Sequence, residues 1–448
     1  MMVENEDRLS NEEVVTNLVN WLTLEHPYKM KISPNVKIMT DAYGGIGLYY
    51  EHNEKLPITN EIIHIPSYFF INKLTCLKHI EKKLKEGNET WLKIFGTDYK
   101  ALLKSIKDDW NSFDTIILYV YVEWFCLPTK SFHLPFFQSF PSSSFFEENI
   151  PVLQILRLED KSIDTTTMID MLSIEFRTEF DKLYNNIKAS ESHLTSLLLS
   201  GFGETDCAQT IKDRIRYLYM CINSRCLYYE ISRTSSNKED NLTLVPFVDF
   251  INHSNKQEEV NAIAETTKNF LQLDKQDYKI FYQETSGKEI LFKYGHHSDD
   301  LLLNDYGFIL NEPNENNCLD VTDIIMKKLK QCELDYLLEA NLYKENDRFL
   351  ISSEESMVYH NTAIAIYMIS LNKELPNLKN LKTFSKPKQL KLDQFMKSSR
   401  TNSIHYQNEI FQILEEYKQD LKLRYKFFQA NEYKMGNVLE LIKKKLNK

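Results

Sequence analysis

Four short stretches hold the residues whose types and spacing could do chemistry. The first is "GGIGL", Gly44 to Leu48. Glycine lets a backbone approach a ligand closely and adopt positive φ. The stretch is not G-x-G-x-x-G and has no P-loop lysine, so a β-turn accounts for it as well as a ligand loop does. The second is "NSRCLYY", Asn223 to Tyr229, at the end of a helical pattern. Arg225 has the planar fork that grips a carboxylate, or it simply faces solvent. The third is "LVPFVDFINHSN", Leu244 to Asn255. One carboxylate, Asp249, lies within its apolar part, and Asn252, His253, Ser254 and Asn255 end it. The fourth is "EILFKYGHHSDDLLLNDYGFIL", Glu289 to Leu310. Ile290, Phe292 and Tyr294 alternate onto one strand face, and Tyr306 follows in "DYGF". A buried tyrosine usually anchors a core through one hydroxyl bond. Two that frame a polar loop can instead line a site.

His253, His296, His297, Asp299 and Asp300 are of metal-binding type. The run "HHSDD" has no established ligand spacing, however. Ser298 reads better as the N-cap of a helix beginning "DDLLL", so no metal is expected.

These stretches need elements to carry them. Ser10 caps a helix through Thr23, with Glu13 as capping-box partner and Val14, Leu18, Trp21 and Leu22 at helical spacing. Short β-like pieces follow, "VKIMTDAYGGIGLYY" and "IIHIP". From Lys73 to about Tyr219 the pattern is mostly helical. Strands return from Leu242 to about Leu310 as "LTLVPF", "NFLQLD", "YKIFYQ" and "EILFKYG", with Ser286-Gly287 as a tight connection. The buried apolar run of "LVPFVDFINHSN" is expected to be strand. After Asn311 the chain reads as helical to its end, as in "IIMKKLKQCELDYLLEA". Short strands are not stable alone, so the two β regions should pair and the site should lie where they meet.

Composition narrows the class. With 448 residues, 42% hydrophobic and 12% aromatic, the chain can build a large core. No apolar run is long enough to span a bilayer. The start, "MMVENEDRLSNEE", is neither a signal nor a transit peptide. The seven scattered cysteines form no C-x-x-C pair, which favours reduced thiols in the cytoplasm, with the nucleus as second setting. From Pro376 onward 16 Lys/Arg face 7 Asp/Glu, leaving 38 against 57 in the rest. An acidic body with a basic tail can attract a basic partner, or be an ordinary solvated surface.

In order, the blocks are G-x-G-L, N-S-R, L-V-P-x-x-D-x-I-N-H-S, and then G-x-E with Y-G, S-D and Y-G-F at set spacing. This order resembles the SET-domain protein lysine methyltransferases of the Rubisco large-subunit methyltransferase type, which includes fungal ribosomal and elongation-factor lysine methyltransferases. "SFHLPFFQSFP" resembles the family's S-x-W-x-P-Y segment. The resemblance implies an α+β fold: a split β-rich SET domain with a long helical insert, followed by an all-α substrate-binding domain. The implied parts are an N-terminal helix (1–30), the first SET part (31–72), the insert (73–219), the second SET part with the cofactor site (220–311) and the helical domain (312–448).

The resemblance also implies a reaction: methyl transfer from S-adenosylmethionine to a protein lysine. The nucleophile is a neutral amine, and deprotonating lysine at pH 7 costs about 4.6 kcal/mol in water. A narrow, dry channel reduces that cost and aligns nitrogen with the methyl. By resemblance, Gly44, Ile46, Arg225, Asn252, His253, Tyr294 and Tyr306 hold the cofactor. Tyr294 sets its hydroxyl at the transfer point, and Ser224 and Asp249 border the lysine channel. The implied partner is a ribosomal protein or elongation factor with a target lysine. No membrane, at most indirect nucleic-acid contact, and a monomer are expected. A catalytically inactive SET-like binding module is the alternative. The chain departs from the family at Gly44, where a larger residue is common, at Asp299 after Ser298, and at His133 in place of tryptophan.

Overall fold

The computed structural model describes residues 10–40, 45–51, 60–203, 206–231, 241–266, 276–285, 287–339, 341–344, 347–352, 358–370, 403–431 and 435–447. They form two compact units. The first takes residues 1–153 and 182–296, the second 154–181 and 297–448.

The first unit opens with the helix Asn11–Thr23. Ser10 accepts from the Glu13 amide, and the Glu13 carboxylate accepts from the Ser10 amide at 2.8 Å, completing the capping box. Strands follow in two groups separated by helices. The first group is β1 (Lys31–Ile32), β2 (Val36–Thr40), β3 (Ile46–Tyr50), β4 (Glu61–Ile65) and β5 (Ile71–Asn72). The second is β6 (Leu227–Tyr228), β7 (Leu242–Leu244), β8 (Asn252–His253), β9 (Ala262–Thr266), β10 (Tyr278–Tyr282) and β11 (Leu291–Phe292). The groups pair as expected. One sheet has the order β1-β4-β10-β9, with Ile63 opposite Ile280, and another β5-β7-β6. The segment before β11 joins β3, since Ile290 N–H donates to Leu48 O and Tyr50 N–H to Lys288 O, both at 2.7 Å. Side chains of Leu48, Tyr50, Ile62, Ile63, Ile65 and Ile280 fill the core beneath.

Between the groups, asparagines start the helices. Asn72, Asn88 and Asn111 each accept an amide in the first turn of Lys73–Lys85, Glu89–Phe95 and Ser112–Tyr121. The apolar run "TIILYVYVEWFC" is the buried helix Ser112–Tyr121 continued by a π-helical turn, Val122–Cys126. No helix among the described residues is long and apolar enough to cross a membrane. The helix Ala208–Arg225 ends on the "NSR" stretch.

The second unit holds the helix Asp299–Tyr306. Ser298 caps it at its start, accepting from Leu301 N–H at 3.3 Å, and Gly307 at φ 82° ends it. The helices Ser403–Ala430 and Gly436–Leu446 close the chain. Lys444 meets Asp299 at 2.6 Å, and Lys445 meets Asp300 at 2.7 Å and Glu175 at 3.2 Å.

Three expectations are corrected. The apolar part of "LVPFVDFINHSN" leaves the strand after Leu244, and strand resumes only at Asn252–His253. Pro246 lacks the amide a ladder needs, Phe247 takes φ 77°, and Val248–Phe250 is a 3-10 turn. The run "IIMKKLKQCELDYLLEA" is two helices, Thr322–Lys328 and Gln331–Glu339, because Leu329 is extended. The part after Asn311 is not wholly helical: β12 (Cys318–Asp320) pairs antiparallel with β13 (Leu350–Ser352), each too short to show alternation. The expected strand "NFLQLD" and Ser286 lie outside the described residues.

Candidate active site

In the first unit β8 runs parallel beside β11, with Leu291 opposite Asn252 and Phe292 opposite His253. This pairing brings Tyr294 to His253. The Tyr294 amide donates to His253 Nδ1 at 3.1 Å, and the rings lie 5.1 Å apart at 35°. A ring nitrogen that accepts carries no proton, so the neutral imidazole is protonated on Nε2. The Tyr294 hydroxyl donates to the Ile251 carbonyl at 2.8 Å. Its proton is committed, and its oxygen can act toward a substrate only as an acceptor. Asn252 Nδ2 donates to the Glu289 carboxylate at 2.9 Å.

The turn that carries Asp249 follows Phe247, a buried residue at positive φ. Such a conformation costs of order 1–3 kcal/mol in a bulky residue and concentrates at functional sites. Asp249 is not isolated. Its carboxylate accepts from Arg225 at the end of the helix Ala208–Arg225. The side chains are 1% and 16% exposed, respectively, and Arg225 also flanks the Phe140 ring at 5.9 Å. Burial raises the Asp249 pKa, and the Arg225 charge opposes that rise. The neighbouring Ser224 hydroxyl donates to Met220 O at 2.7 Å, spending its proton on its own helix.

The sequence-derived candidates therefore fall into groups. Arg225 meets Asp249, and His253 meets Tyr294. Ile46 begins β3 opposite Thr40. Gly44 lies outside the described residues. Tyr306 belongs to the second unit, where its ring sits 6.2 Å from His297 and 6.1 Å from Phe308, and burial pushes its hydroxyl pKa up. Among the described residues no group of three or more His, Cys, Asp or Glu is arranged to hold a metal. Sequence reasoning missed Glu289 and Asn261. Asn261 Nδ2 donates to Glu289 O at 2.7 Å, and its Oδ1 accepts from Leu291 N–H at 2.8 Å. The one available signal was a carboxylate opening the alternating run before Tyr294.

No family model matches the chain. "Ribosomal lysine N-methyltransferase 2" of Saccharomyces cerevisiae is 25% identical over 365 residues, covering 70% of this chain and 74% of that protein. "Ribosomal lysine N-methyltransferase set11" of Schizosaccharomyces pombe is 37% identical over 106 residues, 23% of this chain and 24% of that protein. Among solved structures, the SET domain of LSMT bound to lysine and AdoHcy superimposes with TM-score 0.52 at 13% identity, covering 98% of this chain and 89% of that one. The same domain bound to MeLysine and AdoHcy gives 0.53 at 14% identity, covering 97% and 88%. The chain has the SET-domain fold of the Rubisco methyltransferase. In this SET-fold protein Arg225, Asp249, Asn252, His253 and Tyr294 all lie in the first unit: Arg225 at a helix end, Asp249 on the turn after β7, Asn252 and His253 on β8, and Tyr294 just after β11, which pairs with β8.

Proposed function

We propose that this SET-fold protein is an S-adenosylmethionine-dependent protein-lysine N-methyltransferase whose target is a ribosomal protein or a translation elongation factor, acting in the cytoplasm. The observation that carries the chemistry is the Tyr294 hydroxyl, held by Ile251 O and backed by His253.

The residues present suit the cofactor. Among the described residues Asn223 Nδ2, Arg225 Nε and Asp249 Oδ1 are buried without a hydrogen-bond partner. They lie at one helix end and on the turn paired with it. The donors among them, Asn223 Nδ2 and Arg225 Nε, are what the carboxylate of a polar, zwitterionic ligand would satisfy. In this reading Arg225, Asn252, His253 and Ile46 hold the cofactor together with Gly44, and S-adenosylmethionine supplies an electrophilic sulfonium methyl when bound.

The chain's own groups do the rest. The Tyr294 oxygen, able only to accept, takes a hydrogen bond from the incoming amine and fixes its line of approach. One oxygen of Asp249 holds Arg225. The other meets an approaching ammonium beside Ser224. Phe140 beside Arg225, and Phe247 and Phe250 flanking Asp249 in sequence, are buried, and such apolar surroundings would favour the neutral amine that must attack. The acidic balance outside the tail suits a basic partner, and the yeast relatives carry ribosomal lysine methyltransferase names.

The test is incubation with methyl-labelled S-adenosylmethionine and an extract from cells lacking this protein. A labelled protein band in the ribosomal or elongation-factor fraction is expected. Cofactor binding with no labelled band would leave an inactive binding module and end the enzyme reading.

A further inference from the structure

Within that reading, and resting on its assignment of Asn252 to the cofactor, we infer that Glu289 is a positioning residue that sets which way the Asn252 amide faces, and that Gly47 exists to make room for it. An ionised carboxylate only accepts hydrogen bonds. With Asn252 Nδ2 donating to Glu289 Oε1 at 2.9 Å, the amide has one acceptable orientation. Turning it over would set its oxygen against a carboxylate oxygen, two acceptors with no proton between them. Glu289 thus fixes Asn252 Oδ1 as the acceptor end of the amide, the end suited to an N–H donor of the cofactor.

Glu289 is itself held by its backbone. Its carbonyl accepts from the buried Asn261 amide at 2.7 Å, and Asn261 Oδ1 takes the Leu291 N–H at 2.8 Å. On its other side Glu289 bridges Tyr49, and the residues flanking it bond to β3. The carboxylate therefore leaves a backbone pinned from both sides. A Cβ added at Gly47 would lie 3.0 Å from Glu289 Oε1 and 3.2 Å from Asn252 Nδ2. The glycine that seemed suited to ligand approach instead keeps space for the amide–carboxylate pair.

The test measures binding of S-adenosylhomocysteine to the full chain by calorimetry, with melting temperature in parallel. Glu289→Ala should weaken binding about tenfold or more. Glu289→Gln keeps an acceptor oxygen and should stay within about threefold, since only the charge assistance is lost. Asn252→Asp sets two carboxylates together and should lose binding. Asn252→Asp with Glu289→Gln offers a donor to that carboxylate again and should recover most of it. This rescue keeps the idea testable even if Glu289→Ala fails to fold, and a merely structural glutamate would not produce it. If Glu289→Ala binds like the wild type while Asn252→Ala does not, the positioning role is wrong and the Asn252 assignment stands. If Asn252→Ala itself binds like the wild type, the assignment falls first. If the losses of Asn252→Ala and Glu289→Ala simply add in the double variant, Glu289 does not act through Asn252.

Discussion

Replacing Arg225 by methionine should expose how much the Asp249 pair constrains the site. Methionine keeps most of the apolar length of the arginine stem, so the perturbation is chiefly loss of the cation. Asp249 is then left 1% exposed with no countercharge from its partner. Breaking a buried ion pair on one side costs about 3–5 kcal/mol. At about 2–4 °C per kcal/mol for a chain region of this size, the melting temperature should fall by about 10 °C. The pH dependence has a defined sign. Losing Arg225 removes the largest influence that lowers the Asp249 pKa, and burial already raises it above 3.8. The native state then binds a proton that the unfolded chain has released, so stability falls as pH rises above the unfolded value. Arg225→Met should be least harmed in mild acid and most harmed at neutral pH. Adding Asp249→Leu removes the stranded charge and should recover most of the loss, because an apolar pair of similar volume can replace a buried ion pair. Thermal melts at about pH 5 and pH 7.5 read all three variants. A single variant that melts like the wild type, or a double variant less stable than the single, would refute the reasoning.

Tyr294→Phe should slow methyl transfer by about two orders of magnitude while cofactor affinity changes little, as read by turnover and calorimetry on the same preparation; unchanged turnover removes Tyr294 from the transfer point. Gly47→Ala should weaken S-adenosylhomocysteine binding several-fold with a small change in melting temperature, because Glu289 and Asn252 must each give by a few tenths of an ångström. Lys445→Met should destabilise the second unit by about 3–5 kcal/mol at neutral pH, since Glu175 and Asp300 would face each other buried and without their cation. Burial and the like charge then raise both carboxyl pKa values, so lowering pH toward 5 should narrow the gap to the wild type, which paired melts at the two pH values would show.

Much of the architecture was legible from local signals. Ser10 with Glu13 marks a helix start because a capping box acts within one turn. Ser298 before "DDLLL" did so again. The pairing of the two β groups followed from the instability of lone short strands, and the spacing of the N-H-S and Y-G-F blocks carried the family resemblance. The turn at Phe247 was not legible: proline hinted at a break, but a phenylalanine at positive φ is held only by the packing around it. Nor was the break at Leu329, where no glycine or proline intervenes. The sequence by itself thus determined the helix starts, the two β groups and the order of the chemical blocks. Tertiary structure alone decided the partners: Arg225 for Asp249, Glu289 for Asn252, Tyr294 for His253. Caps, turns and periodicity are settled among neighbours along the chain, whereas those partners meet only when helix ends, strands and turns distant in sequence pack together and leave each buried polar atom a limited choice of where to bond.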